Sequence, residues 1–208
     1  MDTPSRCRPA DAIPGVQCSI GRVTRRRYER GMRRLFTLVA MLLALAWALP
    51  ASAQVLLSFH SFNGSMLWGR YPHAFIVLEG TLDANGQPVN ENYGYSATSV
   101  SPAILSGNVR GTFFSEKPKY VQSTNRHFTM PISDAQYHAI IAEVASWRDG
   151  PDQKRYNLEH RNCVHFIARI AQMVGFDLPV PQDLVKKPRA YLNLMVRDFP
   201  ALHGRTFG

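Results

Sequence analysis

The chain has 208 residues, with 24 lysines and arginines against 15 acidic residues, a formal net charge of +9 and three cysteines. With 45% apolar residues it suits a packed core rather than a disordered chain, and its length suits one domain more than two. The charge does not point to nucleic acid, because nine of the basic residues and only three of the acidic ones precede residue 54. Residues 54–208 carry +3 and show no basic stripe interleaved with aromatics, so no nucleic-acid partner is expected.

Met32, Arg33 and Arg34 are followed by an apolar run from Leu35 to Leu49, then Pro50 and the small residues Ala51, Ser52 and Ala53. This pattern predicts a signal peptide over residues 32–53, cleaved after Ala53, and a periplasmic or secreted protein. The run is too short to cross a bilayer comfortably, so no stable membrane anchor is expected after cleavage. Residues 1–31 are polar, rich in arginine and without periodicity, and read as an extension outside the fold. Cys7 and Cys18 fall within these leading residues, which leaves Cys163 as the sole thiol of the mature chain.

Residues 55–62 and 73–82 read as buried strands, and residues 89–97 as a strand returning antiparallel after the turn sequence DANGQP at 83–88. Residues 101–106, with Pro102 in a first turn, predict a short helix, and residues 119–130 a further extended stretch. Ser133 and Gln136 form a capping-box signature before Tyr137, Ile140, Ile141, Val144 and Trp147, which recur at helical spacing until Asp149 and Gly150. A second helix is expected over residues 162–174, with Phe166, Ile167, Ile170, Ala171 and Val174 on one face and Gly175 as its C-terminal cap. Pro179, Pro181 and Pro188 punctuate the tail before a last helix over residues 189–198. The fold class is therefore α+β, a sheet of four or five strands packed against two or three helices.

Cys163 stands where a loop turns into the second helix. With Asn162 as the cap, it occupies the first turn, where the helix dipole favours an anion and free amides can serve a developing oxyanion. The same wheel turns it toward Phe166, Ile167 and Ile170, which suits a nucleophile in a cleft and equally a small packed hydrophobe. A thiol nucleophile needs a base. His73, opening a buried strand, is the first candidate and His127 the second, whereas His165 points away around the helix and His138 lies mid-helix. The run His160, Cys163, His165 lacks the companion cysteines of a structural metal site, and neither metal nor cofactor is expected.

The order PHAFIVLEG, VNENYGYSA and RNCVHFI resembles the circularly permuted branch of the NlpC/P60 papain-like superfamily, and NCVHFI is similar to the Asn-Cys-x-His-Phe box of lecithin:retinol acyltransferase-like proteins. The resemblance covers roughly residues 70–175 and implies a permuted papain-like fold, with Cys163 as nucleophile, His73 as base and a polar residue of the next strand orienting His73. The chain departs from the acyltransferase pattern at that third position, where a second histidine is usual. Glu91 is preferred, with Asn90 or Asn92 taking the role if the strand register shifts by one. Tyr93 reads as lining the cleft, Asn162 as contacting substrate as well as capping, and Arg161 as lowering the Cys163 pKa or holding an anionic group.

These features lead to an expected exported cysteine hydrolase that attacks an amide carbonyl of a cell-wall (peptidoglycan) peptide through an acyl-enzyme. Two alternatives stay open: a lipid acyltransferase or thioesterase of the same fold, and a catalytically silent binding domain.

Overall fold

A computed structural model describes residues 54–64, 71–99, 101–151 and 155–208. The expected extension and signal peptide lie outside the described residues. Strand β1 (Val55–Phe62) pairs on one side with β2 (His73–Thr81) and on the other with β5 (Asn125–Ile132); β3 (Pro88–Ala97) lies beyond β2, and β4 (Gly111–Phe114) beyond β3. The resulting order β4-β3-β2-β1-β5 is antiparallel throughout. Period-two side-chain alternation divides the sheet into two faces. Leu57, Phe59, Ala74, Ile76, Leu78 and Tyr95 join the core on one face, whereas Phe75 turns to the other and stacks on His60 with ring centroids 5.3 Å apart.

The helices are α1 (Ala103–Ser106), α2 (Pro118–Gln122), α3 (Asp134–Asp149), α4 (Cys163–Met173) and α5 (Pro188–Asp198). The first turn of α3 is closed as its sequence predicts: the Gln136 amide donates to the Ser133 hydroxyl at 3.2 Å, and the Ser133 amide to the Gln136 carbonyl oxygen at 3.0 Å. Phe166, Ile167, Ile170 and Ala171 of α4 are fully buried, and Gly175 beyond its end adopts φ +98°, a left-handed conformation that glycine takes without a steric penalty. No helix among the described residues is long and apolar enough to cross a membrane.

The structure corrects one stretch and adds a strand. Residues 119–130 are not continuously extended: Pro118 opens α2, and β5 begins only at Asn125. Proline in a first turn loses no intrahelical hydrogen bond, so the short helix forms despite β-favouring neighbours. Strand β4 is four residues long, too short for alternation to show, and exists because β3 offers it a ladder.

Phe166 carries much of the contact between sheet and helices, with its ring 4.9 Å from that of Phe113 and 5.4 Å from that of Trp147. Phe166→Ala is expected to destabilise the domain by about 3–5 kcal/mol in urea denaturation. A loss under about 1 kcal/mol would mean that this contact does not hold the layers together.

Candidate active site

The β2–β3 ladder ends at Ile76↔Tyr93, three residues short of the start of β2. The N-terminus of α4 meets the sheet at this end. The backbone amide of Ala74 lies against the Cys163 sulfur, alongside those of Val164 and Cys163 itself. His73 and Ala74 are neighbours of opposite facing, so the imidazole lies on the Phe75 face, its ring 6.3 Å from that of Phe75. It reaches across to the next strand: a Cβ on Gly94 would come within 2.3 Å of His73 Nε2. Gly94 is thus the position where β3 needs no side chain, because the imidazole occupies that space.

Cys163 and His73 line a single cavity of about 880 Å³. Tyr156, Asn162, Phe75 and Ser96 also border it, and most of the remaining wall is apolar or aromatic. Continuing the β2–β3 register brings Ser96 opposite His73.

Asn162 fixes the entry to α4. Its Oδ1 accepts from the amides of Val164 at 2.8 Å and His165 at 3.3 Å, while its Nδ2 donates to the carbonyls of Leu158 at 2.6 Å and Val185 at 2.7 Å. The His165 ring completes the cap, with Nδ1 3.1 Å from Asn162 Oδ1 and accepting from the Asn162 amide at 3.4 Å. The cap places Cys163 on the inner side of the first turn, 6% exposed. Burial pushes its thiol from 9.0 up to about 11, against the opposing pull of the three amides. Desolvation therefore outweighs the helix terminus, which favours an anion, and the thiol is neutral at ordinary pH. Burial, and after it Cys163, raises the pKa of the Tyr156 phenol, so a protonated hydroxyl borders the same cavity as the sulfur.

Three sequence-predicted residues are not brought to this site. Glu91 pairs with Leu78, five residues along β2 from His73 and so roughly 16 Å away; its carboxylate accepts from the hydroxyls of Tyr93 at 2.8 Å and Tyr137 at 3.3 Å. Tyr93 belongs to that cluster and packs edge-on against Phe113 at 6.1 Å. Arg161 turns away from Cys163 and lies 3.9 Å over the Trp147 ring, with its buried Nε left without a hydrogen-bond partner. Asn92, one of the two alternatives to Glu91, clamps the backbone of Glu116 by hydrogen bonds of 2.6 and 3.0 Å.

Of the other histidines, His127 is 1% exposed and bonded to the Ser61 hydroxyl at 2.8 Å, away from the cavity wall, and His138 and His160 are exposed. Among the described residues no group of three or more His, Cys, Asp and Glu side chains is placed to hold a metal ion.

Sequence reasoning missed the role of Gly94 in making room for His73, and missed Tyr156 and the Ala74 amide altogether. Gly94 had a readable signal, an isolated glycine inside a strand pattern, which marks a bulge or a close approach. The other two depend on which chain segments meet. No protein-family model, no curated protein and no solved structure matches the chain.

The thiol pKa yields a direct expectation. A folded-state value raised above the unfolded one means that the neutral buried thiol contributes stability fully below about pH 9 and loses it as pH rises toward about 11. Iodoacetamide should alkylate Cys163 in the folded domain through the cavity, slowly at pH 8, with a rate that climbs toward pH 11 and a midpoint nearer 9 in urea. Labelling that waits for unfolding at every pH would contradict an accessible nucleophile.

Proposed function

We propose that the domain is a thiol-dependent acyl hydrolase or acyltransferase of permuted papain-like arrangement, acting on an apolar acyl ester or thioester. The observation that supports it most is that Cys163 and His73 border the same large, mostly apolar cavity. In this reading His73 takes the Cys163 proton as the sulfur bonds to the carbonyl carbon. The carbonyl electrons move to oxygen, where the amides at the start of α4, the Ala74 amide and the Tyr156 hydroxyl are available as donors. Collapse of this intermediate breaks the bond to the leaving oxygen or sulfur, which receives the proton from the imidazolium. Water or an acceptor alcohol then attacks the thioester by the reverse sequence and restores the thiol.

A thiol held neutral by burial makes proton transfer to His73 part of the attack rather than a step completed beforehand. The mostly apolar wall also favours the acyl-donor branch over a cell-wall peptide, whose closely spaced amides would be left to the polar minority of the lining. Export to the periplasm or medium rests on residues 32–53 and accompanies the proposal as an expectation.

Hydrolysis of p-nitrophenyl octanoate tests the reading, with purified peptidoglycan as the comparison substrate. Cys163→Ser and His73→Asn should each lower turnover by at least about a thousandfold, and Tyr156→Phe by about a hundredfold. Gly94→Ala, which displaces the imidazole, should reduce kcat by at least about tenfold with little change in KM. Unchanged turnover in Cys163→Ser would overturn the proposal, and release of peptide fragments without ester hydrolysis would return it to the amide substrate.

A further inference from the structure

Five large hydrophobic side chains are strongly exposed among the described residues, and four of them border the mouth of the Cys163 cavity: Leu105 at 83%, Tyr71 at 58%, Phe114 at 45% and Tyr120 at 42%. They come from four separate segments, the approach to β2, helix α1, the end of β4 and helix α2, so the clustering is produced by the fold and not by one apolar stretch. Soluble domains rarely gather exposed apolar groups in one place without a partner for them. The composition is that of a water–lipid boundary, with tyrosines whose rings are apolar and whose hydroxyls remain wet, beside leucine and phenylalanine.

The charges around the rim fit the same partner. Lys117 and Lys119 stand on either side of Pro118 at the start of α2 and are exposed, and exposed Lys187 follows the wall residue Lys186, which is itself paired with Glu159. Glu116 is the only acidic residue between 96 and 126, a span that also carries Arg110 and Arg126. Exposed cations next in sequence to residues of an apolar mouth complement a surface that is anionic outside and apolar beneath.

We infer that the rim formed by Tyr71, Leu105, Phe114 and Tyr120, with Lys117, Lys119 and Lys187, docks the cavity mouth onto an anionic lipid surface. The inference deepens the proposed function and rests on it: docking would let an acyl chain pass from the bilayer into the cavity without crossing water. Because the apolar patch is small, binding is peripheral and reversible, and it weakens with salt as the lysine contribution is screened.

Flotation of the chain from Gln54 onward with phosphatidylcholine vesicles, with and without one quarter phosphatidylglycerol, tests it. Binding is expected only to the anionic vesicles and should fall as salt is raised. A lysine near such a surface contributes about fivefold in partitioning, so Lys117→Glu combined with Lys119→Glu should weaken binding by at least about tenfold. The same double variant should keep the wild-type rate on the soluble ester, which shows that it is folded. Leu105→Asp, introduced separately, should also release the protein from vesicles. Cys163→Ser should bind vesicles as wild type does, so a failed hydrolase reading with intact docking is distinguishable from a failed docking surface. Absence of binding, binding unaffected by these rim variants, or concentration-dependent dimerisation that Leu105→Asp abolishes without any vesicle binding would each overturn the inference.

Discussion

The buried amide of Asn162 is the interaction on which the site depends. One side chain receives the first free amides of α4 and donates to carbonyls on either side of it in sequence, Leu158 before the helix and Val185 well after it. A helix terminus buried against a sheet leaves several amides that water cannot reach, each costing about 1–3 kcal/mol if left unpaired. Asn162 removes that cost and in the same geometry fixes the rotation of α4. The rotation determines that Cys163 meets the sheet where the β2–β3 ladder has stopped and the Ala74 amide is available.

Two opposing effects meet at the sulfur. The amides favour a thiolate and burial disfavours it, and burial prevails, leaving a neutral thiol at ordinary pH. Under the proposed function a thiol held neutral in this way reacts only when a base takes its proton, the role proposed for His73. His73 can lie across to β3 because Gly94 has no side chain there. The apolar wall extends the same logic to substrate, since a group that displaces water from this cavity strengthens every remaining polar interaction inside it.

The strong periodicities were legible. The β2–β3 hairpin, the capped helix α3 and the amphipathic face of α4 follow from alternation, from Ser133 and Gln136, and from Phe166, Ile167 and Ile170. Where signals were short or local they misled: four residues of β4 carry no pattern, and Pro118 started a helix inside a stretch rich in strand formers. The candidate site was legible along the chain but not across it. Cys163, its cap and His73 could be named from position, whereas the third polar residue could not, because Glu91 shares its strand with Gly94 yet sits roughly 16 Å from His73 and bonds two tyrosines instead. Arg161 stands next to the cap in sequence, but the flat indole of Trp147 is a better neighbour for a guanidinium than a buried thiol. The clustering of Tyr71, Leu105, Phe114 and Tyr120 is purely tertiary and has no sequence signature.

The most direct test is the mass of the intact protein after brief reaction with p-nitrophenyl octanoate and an acid quench. The account predicts one added octanoyl group, mapped by peptide fragmentation to Cys163 and lost in His73→Asn. An adduct on another residue, or none while ester hydrolysis proceeds, would contradict it.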